Sequence, residues 1–161
     1  MKRLLVLAAV VGVSWAAPGR LAAQSNAQLG TWKMNLAKSK FNPGPAPKSE
    51  TLTITPQGAG AKYSFTGMAG DGGNIACSFT TNYDGKDSPA TGMCANGMDS
   101  VTVKKADASA STITATGKKS GKVVLTVRDV VSKDGQHSTA TLKGTSPQGQ
   151  PMSATEFWDK Q

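Results

Sequence analysis

The sequence predicts an all-β protein: a single antiparallel up-and-down β-barrel of about eight to ten strands. Three observations lead there. Turn signals recur at Gln57-Gly58, Asp71-Gly72, Asp84-Gly85, Asn96-Gly97, Asp107-Ala108, Ser120-Gly121, Asp134-Gly135 and Gln148-Gly149, at intervals of 14, 13, 12, 11, 13, 14 and 14 residues. Asp-Gly and Asn-Gly supply the positive φ values that tight hairpins require. The segments between them are rich in Thr, Val, Ile and aromatic residues in period-two alternation, and none carries a useful 3.6-residue period. A meander with so many strands exposes two edges unless it closes on itself.

The 161 residues amount to one domain, and a composition of 38% hydrophobic and 17% charged residues excludes a disordered tail or a coiled coil. Residues 1–23 read as a signal peptide, with a basic Met1-Lys2-Arg3 start and an apolar run from Leu4 to Val13 too short to span a bilayer. Cleavage is expected after Ala23 rather than Ala16, because Pro18 and Arg20 would make a poor mature start. The barrel domain is then 24–161, exported to the periplasm or the extracellular space. No cysteine lies near either cleavage site, which argues against a lipoprotein. No other segment is long and apolar enough for a membrane span, and a soluble monomer is expected.

Loss of Lys2, Arg3 and Arg20 would leave 15 of the 18 basic residues against 10 acidic ones, a net charge of +5 rather than +8. The lysines fall as turn pairs, Lys104-Lys105 and Lys118-Lys119, not as a stripe interleaved with aromatics. That pattern argues against nucleic-acid binding.

The elements can be justified in order. Gly30, Trp32, Met34 and Leu36 form one face of the opening strand. The segment from Lys38 to Lys48 contains Pro43, Pro45 and Pro47 and cannot be a central strand. It is either a strap over one barrel end or a plain surface crossing. Leu52 and Ile54, then Tyr63 and Phe65, then Ile75, Cys77, Phe79 and Tyr83 alternate with polar partners. Further strands are expected at 88–95, 99–105, 110–118, 122–132, 137–146 and 151–159. The run Val123-Val124-Leu125-Thr126-Val127 is apolar on both faces, which predicts a strand covered on both sides.

Cys77 and Cys94 are an even count in an exported chain and predict one disulfide. A turn at 84–85 makes residues whose numbers sum to about 169 face each other, so the two cysteines lie within one register step of opposition. A soft-metal site built from Cys77, Met93, Cys94 and Met98 is the sharper but less favoured alternative.

Gly30-Thr31-Trp32-Lys33-Met34-Asn35 resembles the opening strand of the calycin superfamily, that is, the lipocalins and fatty-acid-binding proteins. Thr155-Glu156-Phe157-Trp158-Asp159-Lys160 is similar to the closing strand of the fatty-acid-binding proteins. The stretches 30–35, 38–47, 83–87 and 131–135 also resemble motifs of small secreted bacterial proteins of unknown function. The calycin resemblance implies a lipocalin-like barrel that binds a small ligand. Two departures limit it. The Pro-rich loop stands where fatty-acid-binding proteins carry a helical lid. Glu156 and Trp158 stand where they carry an Arg and a Tyr that clamp the ligand carboxylate. A carboxylate at 156 would repel a fatty acid, so a neutral or cationic ligand fits better.

Candidate cavity residues are Trp32, Met34, Tyr63, Phe65, Phe79 and Trp158, with Arg128 and Glu156 as candidate polar anchors. The same residues could equally form a filled core. The alternation around Arg128 favours an outer-face position for it. His137 is a lone histidine with no nucleophile constellation, Gly-x-Ser-x-Gly does not occur, and the Gly67–Gly73 stretch has no following helix to cradle phosphate. Catalysis and cofactors are therefore not expected. The reading is an exported, non-enzymatic barrel that binds a small hydrophobic or amphipathic molecule. The alternatives are an envelope or extracellular interaction protein with a packed barrel, or an accessory handling carbohydrate or metal.

Overall fold

In the computed structural model, which describes residues 26–146 and 148–161, the chain reverses at or within two residues of each expected turn, with Asp84-Gly85 opening a strand just after a reversal at Asn82–Tyr83. The expected signal peptide and its cleavage site lie outside the described residues. The strands are β1 (Gly30–Met34), β2 (Lys40–Asn42), β3 (Ser49–Gln57), β4 (Gly60–Met68), β5 (Asn74–Thr81) and β6 (Asp84–Met93). After a single 3-10 turn at Ala95–Gly97 come β7 (Ser100–Lys105), β8 (Thr112–Lys119), β9 (Lys122–Val131), β10 (His137–Thr145) and β11 (Pro151–Lys160).

Strands β3 to β11 pair antiparallel in chain order, and β1 joins β3 to β11. Ten strands thereby close a ring, and the short β2 pairs alongside β11 next to β1. The closure is brief: Trp32 pairs with Lys160, Lys33 with Asp159 and Met34 with Trp158. The all-β up-and-down barrel expected from the sequence is the fold observed.

One end of the barrel is packed shut. Residues 26–29 fold beneath it, where the Ala27 N–H donates to the Ser109 carbonyl at 2.7 Å. Asn26 Nδ2 donates to the Tyr83 hydroxyl at 2.8 Å, and the Trp32 indole donates to the Gln28 carbonyl at 2.8 Å. Above that plug lies the main core, with Trp32, Met34, Ile54, Tyr63, Val103 and Trp158 all buried. Tyr63 stacks on Phe79 with ring centroids 4.9 Å apart. A smaller cluster of Leu125, Ala140, Leu142 and Ala154 spans β9, β10 and β11.

Three details depart from the sequence reading. Leu36 does not continue the inward face of β1 but is 38% exposed. The Asn35 side chain turns the chain there, accepting from the Lys38 N–H and donating to Asp159. Strand β9 is not covered on both faces. Gly117 pairs with Leu125 and Lys118 with Val123, so Val124 is an extra, bulged residue and Val123 ends 56% exposed. Cys94 lies beyond β6 rather than within a strand.

The disulfide itself forms, with Cα atoms 4.7 Å apart. The pairing of β5 and β6 follows the expected sum, which sets Gly92, not Cys94, opposite Cys77. Gly92 has φ +91°, and a Cβ there would sit 1.9 Å from the Ala76 carbonyl oxygen. Only glycine fits that reversal, which carries Cys94 back to its partner.

Trp32 fills the floor of the barrel and is 1% exposed. Trp32→Ala is expected to lower stability by about 3–5 kcal/mol in urea unfolding. Reduction of the disulfide, which closes a 17-residue separation, is expected to cost about 3 kcal/mol in the same measurement.

Candidate functional site

Above the plugged floor the barrel is not filled. A cavity of about 510 Å³ occupies the upper interior, within the range of about 300–1,000 Å³ usual for small-molecule sites. Its walls follow from strand alternation: Glu50 and Leu52 on β3, Tyr63 and Phe65 on β4, Phe79 on β5, Val127 and Asp129 on β9, and Glu156 and Trp158 on β11. Six of the residues proposed from the sequence line it, namely Trp32, Tyr63, Phe65, Phe79, Glu156 and Trp158.

Two do not. Met34 is buried in the core and does not line the cavity. Arg128 is exposed on the outer face, between Thr114 of β8 and Thr141 of β10. It cannot pair with Glu156, because the two side chains lie on opposite faces of the sheet.

The sequence reading missed the other polar groups of the interior. Asp129 continues the inward phase of Leu125 and Val127, and Glu50 that of Leu52 and Ile54. That phase was the available signal, masked by the expectation that carboxylates face water. Gln28, which enters from the plug, gave no periodic signal.

These acids stand in different surroundings. Asp129 accepts from Gln28 Nε2 at 2.9 Å and from the Ser138 hydroxyl. Burial raises its pKa, and the two donors partly offset that. Burial, then Tyr83, whose hydroxyl lies 3.0 Å away, and last Asp129 raise the pKa of the Tyr63 hydroxyl. Neither Glu50 nor Glu156 has an ion-pair partner among the described residues. Burial pushes Glu50 up to about 7. Burial and the nearby Glu50 push Glu156 up to about 8, with the Trp158 indole acting the other way. No Lys, Arg or His lies among the described lining residues.

The mouth is built from loops. Of the two readings of the Pro-rich segment, the strap is the one observed, since Pro45 and Pro47 line the cavity. The strap lies tight against the β4–β5 turn, where a Cβ on Gly70 would meet the Ala46 carbonyl oxygen and Pro45 Cγ at 2.6 Å. The Lys48 N–H donates to the Met68 carbonyl at 2.8 Å. Cys77, Cys94, Met93 and Met98 line the cavity as well. The disulfide consumes both thiolates that the soft-metal alternative needs. Among the described residues, no three His, Cys, Asp or Glu groups cluster as a metal site.

A second, polar hollow of about 430 Å³ opens between β5 and β6, beside Ser78, Thr80, Ser88 and Pro89. The β5–β6 ladder ends at the Phe79–Ala90 pair. In that register Thr80 would next face Pro89, which has no N–H to donate.

The fold and the site together define an all-β barrel with an apolar interior cavity that holds three carboxyl groups and, among the described lining residues, no basic one. No protein-family model matches the chain, and no curated protein matches it in sequence. Among solved structures it is similar to zebrafish ileal bile acid-binding protein complexed with cholic acid. The TM-score is 0.46 at 11% identity, covering 84% of this chain and 99% of that one.

The acids make stability depend on pH with a definite sign. The folded-state pKa values of Glu50 and Glu156 lie above the ordinary 4.5, so over this range the native state binds more protons than the unfolded chain. Stability from these groups is full below about pH 4.5 and falls as pH rises towards 8. Thermal unfolding followed by circular dichroism is expected to show a melting temperature that declines from pH 5 to pH 8. Glu156→Gln should flatten that decline.

Proposed function

We propose that this protein is an exported, non-enzymatic β-barrel that takes a small, largely apolar molecule into its interior. The observation that carries this reading is the cavity of about 510 Å³, walled by aromatic and aliphatic side chains inside an otherwise packed barrel. A barrel packed solid for partner contacts alone would not keep such a space, since empty apolar volume costs stability. Export is supported by the basic-then-apolar start of the sequence and by the Cys77–Cys94 disulfide.

The non-enzymatic reading is supported at the one histidine. His137 Nδ1 meets Asp159 at 2.9 Å on the exposed rim, in a part of the molecule separate from the cavity. The nearby Ser132 hydroxyl bonds Asp134 and the His137 main-chain carbonyl instead of the imidazole. That arrangement does not activate a nucleophile.

Native mass spectrometry of the mature protein, before and after solvent extraction, tests the reading. The expected result is a discrete adduct that extraction removes and an apolar dye such as Nile red restores. A bare polypeptide that also fails to take up the dye would overturn it. Phe65 is a partly buried lining residue near Phe79, with ring centroids 6.2 Å apart. Phe65→Ala is expected to change dye affinity while costing less stability than the roughly 3–5 kcal/mol of Trp32→Ala.

A further inference from the structure

We propose that the cavity recognises an amphipathic amine, its cationic head seated between Glu50 and Glu156 and its apolar body against Phe65 and Phe79. This rests on the ligand-carrying reading above and names the chemical class of the ligand.

The argument starts from Glu156. It points into the barrel, lines the cavity, and has no ion-pair partner among the described residues, the Trp158 indole being the one hydrogen-bonding group beside it. Buried carboxyl groups in a folded protein are ordinarily paired. Asp129 shows the satisfied alternative in the same interior, held by Gln28 and Ser138. Glu50 is a second carboxyl without a partner, and it raises the pKa of Glu156 through space. The two flank the place where β1 stops. Lys33 makes the last β1–β3 pair with Thr51, and Met34 the last β1–β11 pair with Trp158. Above that level β11 pairs instead with the short β2, from Ser153 to Thr155, and β2 makes no ladder with β3.

The groups that face Glu156 are Glu50 from β3 and Asp129 from β9, with Trp158 beside it. Strand β10 presents Ala140, and Phe41 of β2 also lines the wall. None of these is a cation. An anionic ligand would meet three acids and no base. A neutral one would leave the two carboxyls unpaired. A protonated amine supplies the missing charge and donates to both. Its binding converts a neutral carboxyl to a carboxylate and releases the proton to solvent, so affinity must rise with pH until the amine itself deprotonates.

The test uses three probes of one chain length, decylamine, decanol and decanoate, titrated calorimetrically into extracted mature protein at pH 6 and pH 8. The expected order at pH 8 is decylamine at least about tenfold tighter than decanol, with decanoate weakest. Decylamine should tighten about tenfold or more from pH 6 to pH 8 while decanol does not change. Glu156→Gln and, separately, Glu50→Gln should reduce the amine preference and its pH slope, whereas Arg128→Gln on the outer face leaves both intact. Equal binding of decylamine and decanol by the wild-type protein overturns the amine proposal and leaves the carrier reading standing. So does an amine preference that survives both Glu variants. Failure of all three probes to bind overturns both.

Discussion

Everything inside this molecule depends on three residue pairs. The β1–β11 contact from Trp32–Lys160 to Met34–Trp158 turns an open meander into a ring and removes its two edges. It also sets the depth of the interior. Trp32 can reach the floor and bond Gln28 only because β1 is held between β3 and β11. Lys160 completes the joint, its ammonium 4.8 Å from the centre of the Trp32 ring.

The same joint explains why a cavity exists at all. Strand β1 is five residues long, and Asn35 turns the chain away from the barrel wall. Its neighbours β3 and β11 run on for nine and ten residues. The wall above Met34 therefore lacks a full-length strand on that side. The short β2 and the Pro-rich strap cover the gap without filling the space within. Packing is dense where all ten strands meet and absent where β1 has left, so a floor and a chamber share one barrel.

Much of the barrel was legible in the sequence, because turn chemistry and alternation are local properties. Asp84-Gly85 and its relatives put the strand boundaries within about two residues. The inward positions of Tyr63, Phe65, Phe79 and Trp158 followed from phase alone. What escaped was non-local. Leu36 kept the phase of Trp32 and Met34, but a side-chain hydrogen bond from Asn35 ended the strand first. The bulge at Val124 reset the phase of β9. Met34 was inward as expected, yet whether an inward residue lines space or fills it depends on neighbours in other strands. Glu50 and Asp129 carried the inward phase openly and were passed over because carboxylates are seldom found inside. Arg128, one residue from Asp129, faces solvent.

The missing N–H at Pro89 has a consequence for how the barrel moves. Of the ladders that join two strands of eight residues or more, the one between β5 and β6 is the shortest, with four residue pairs. The β3–β4 ladder has nine. Local opening favours seams with few main-chain hydrogen bonds to break. The wall between Thr80 and Pro89 is therefore a weak seam between two long strands. Amide hydrogens along that flank of β5 have fewer ladder bonds to break before they meet solvent than those shared by β3 and β4. The side chains that line the chamber are thus hung on a wall that is firm on one side and compliant on the other.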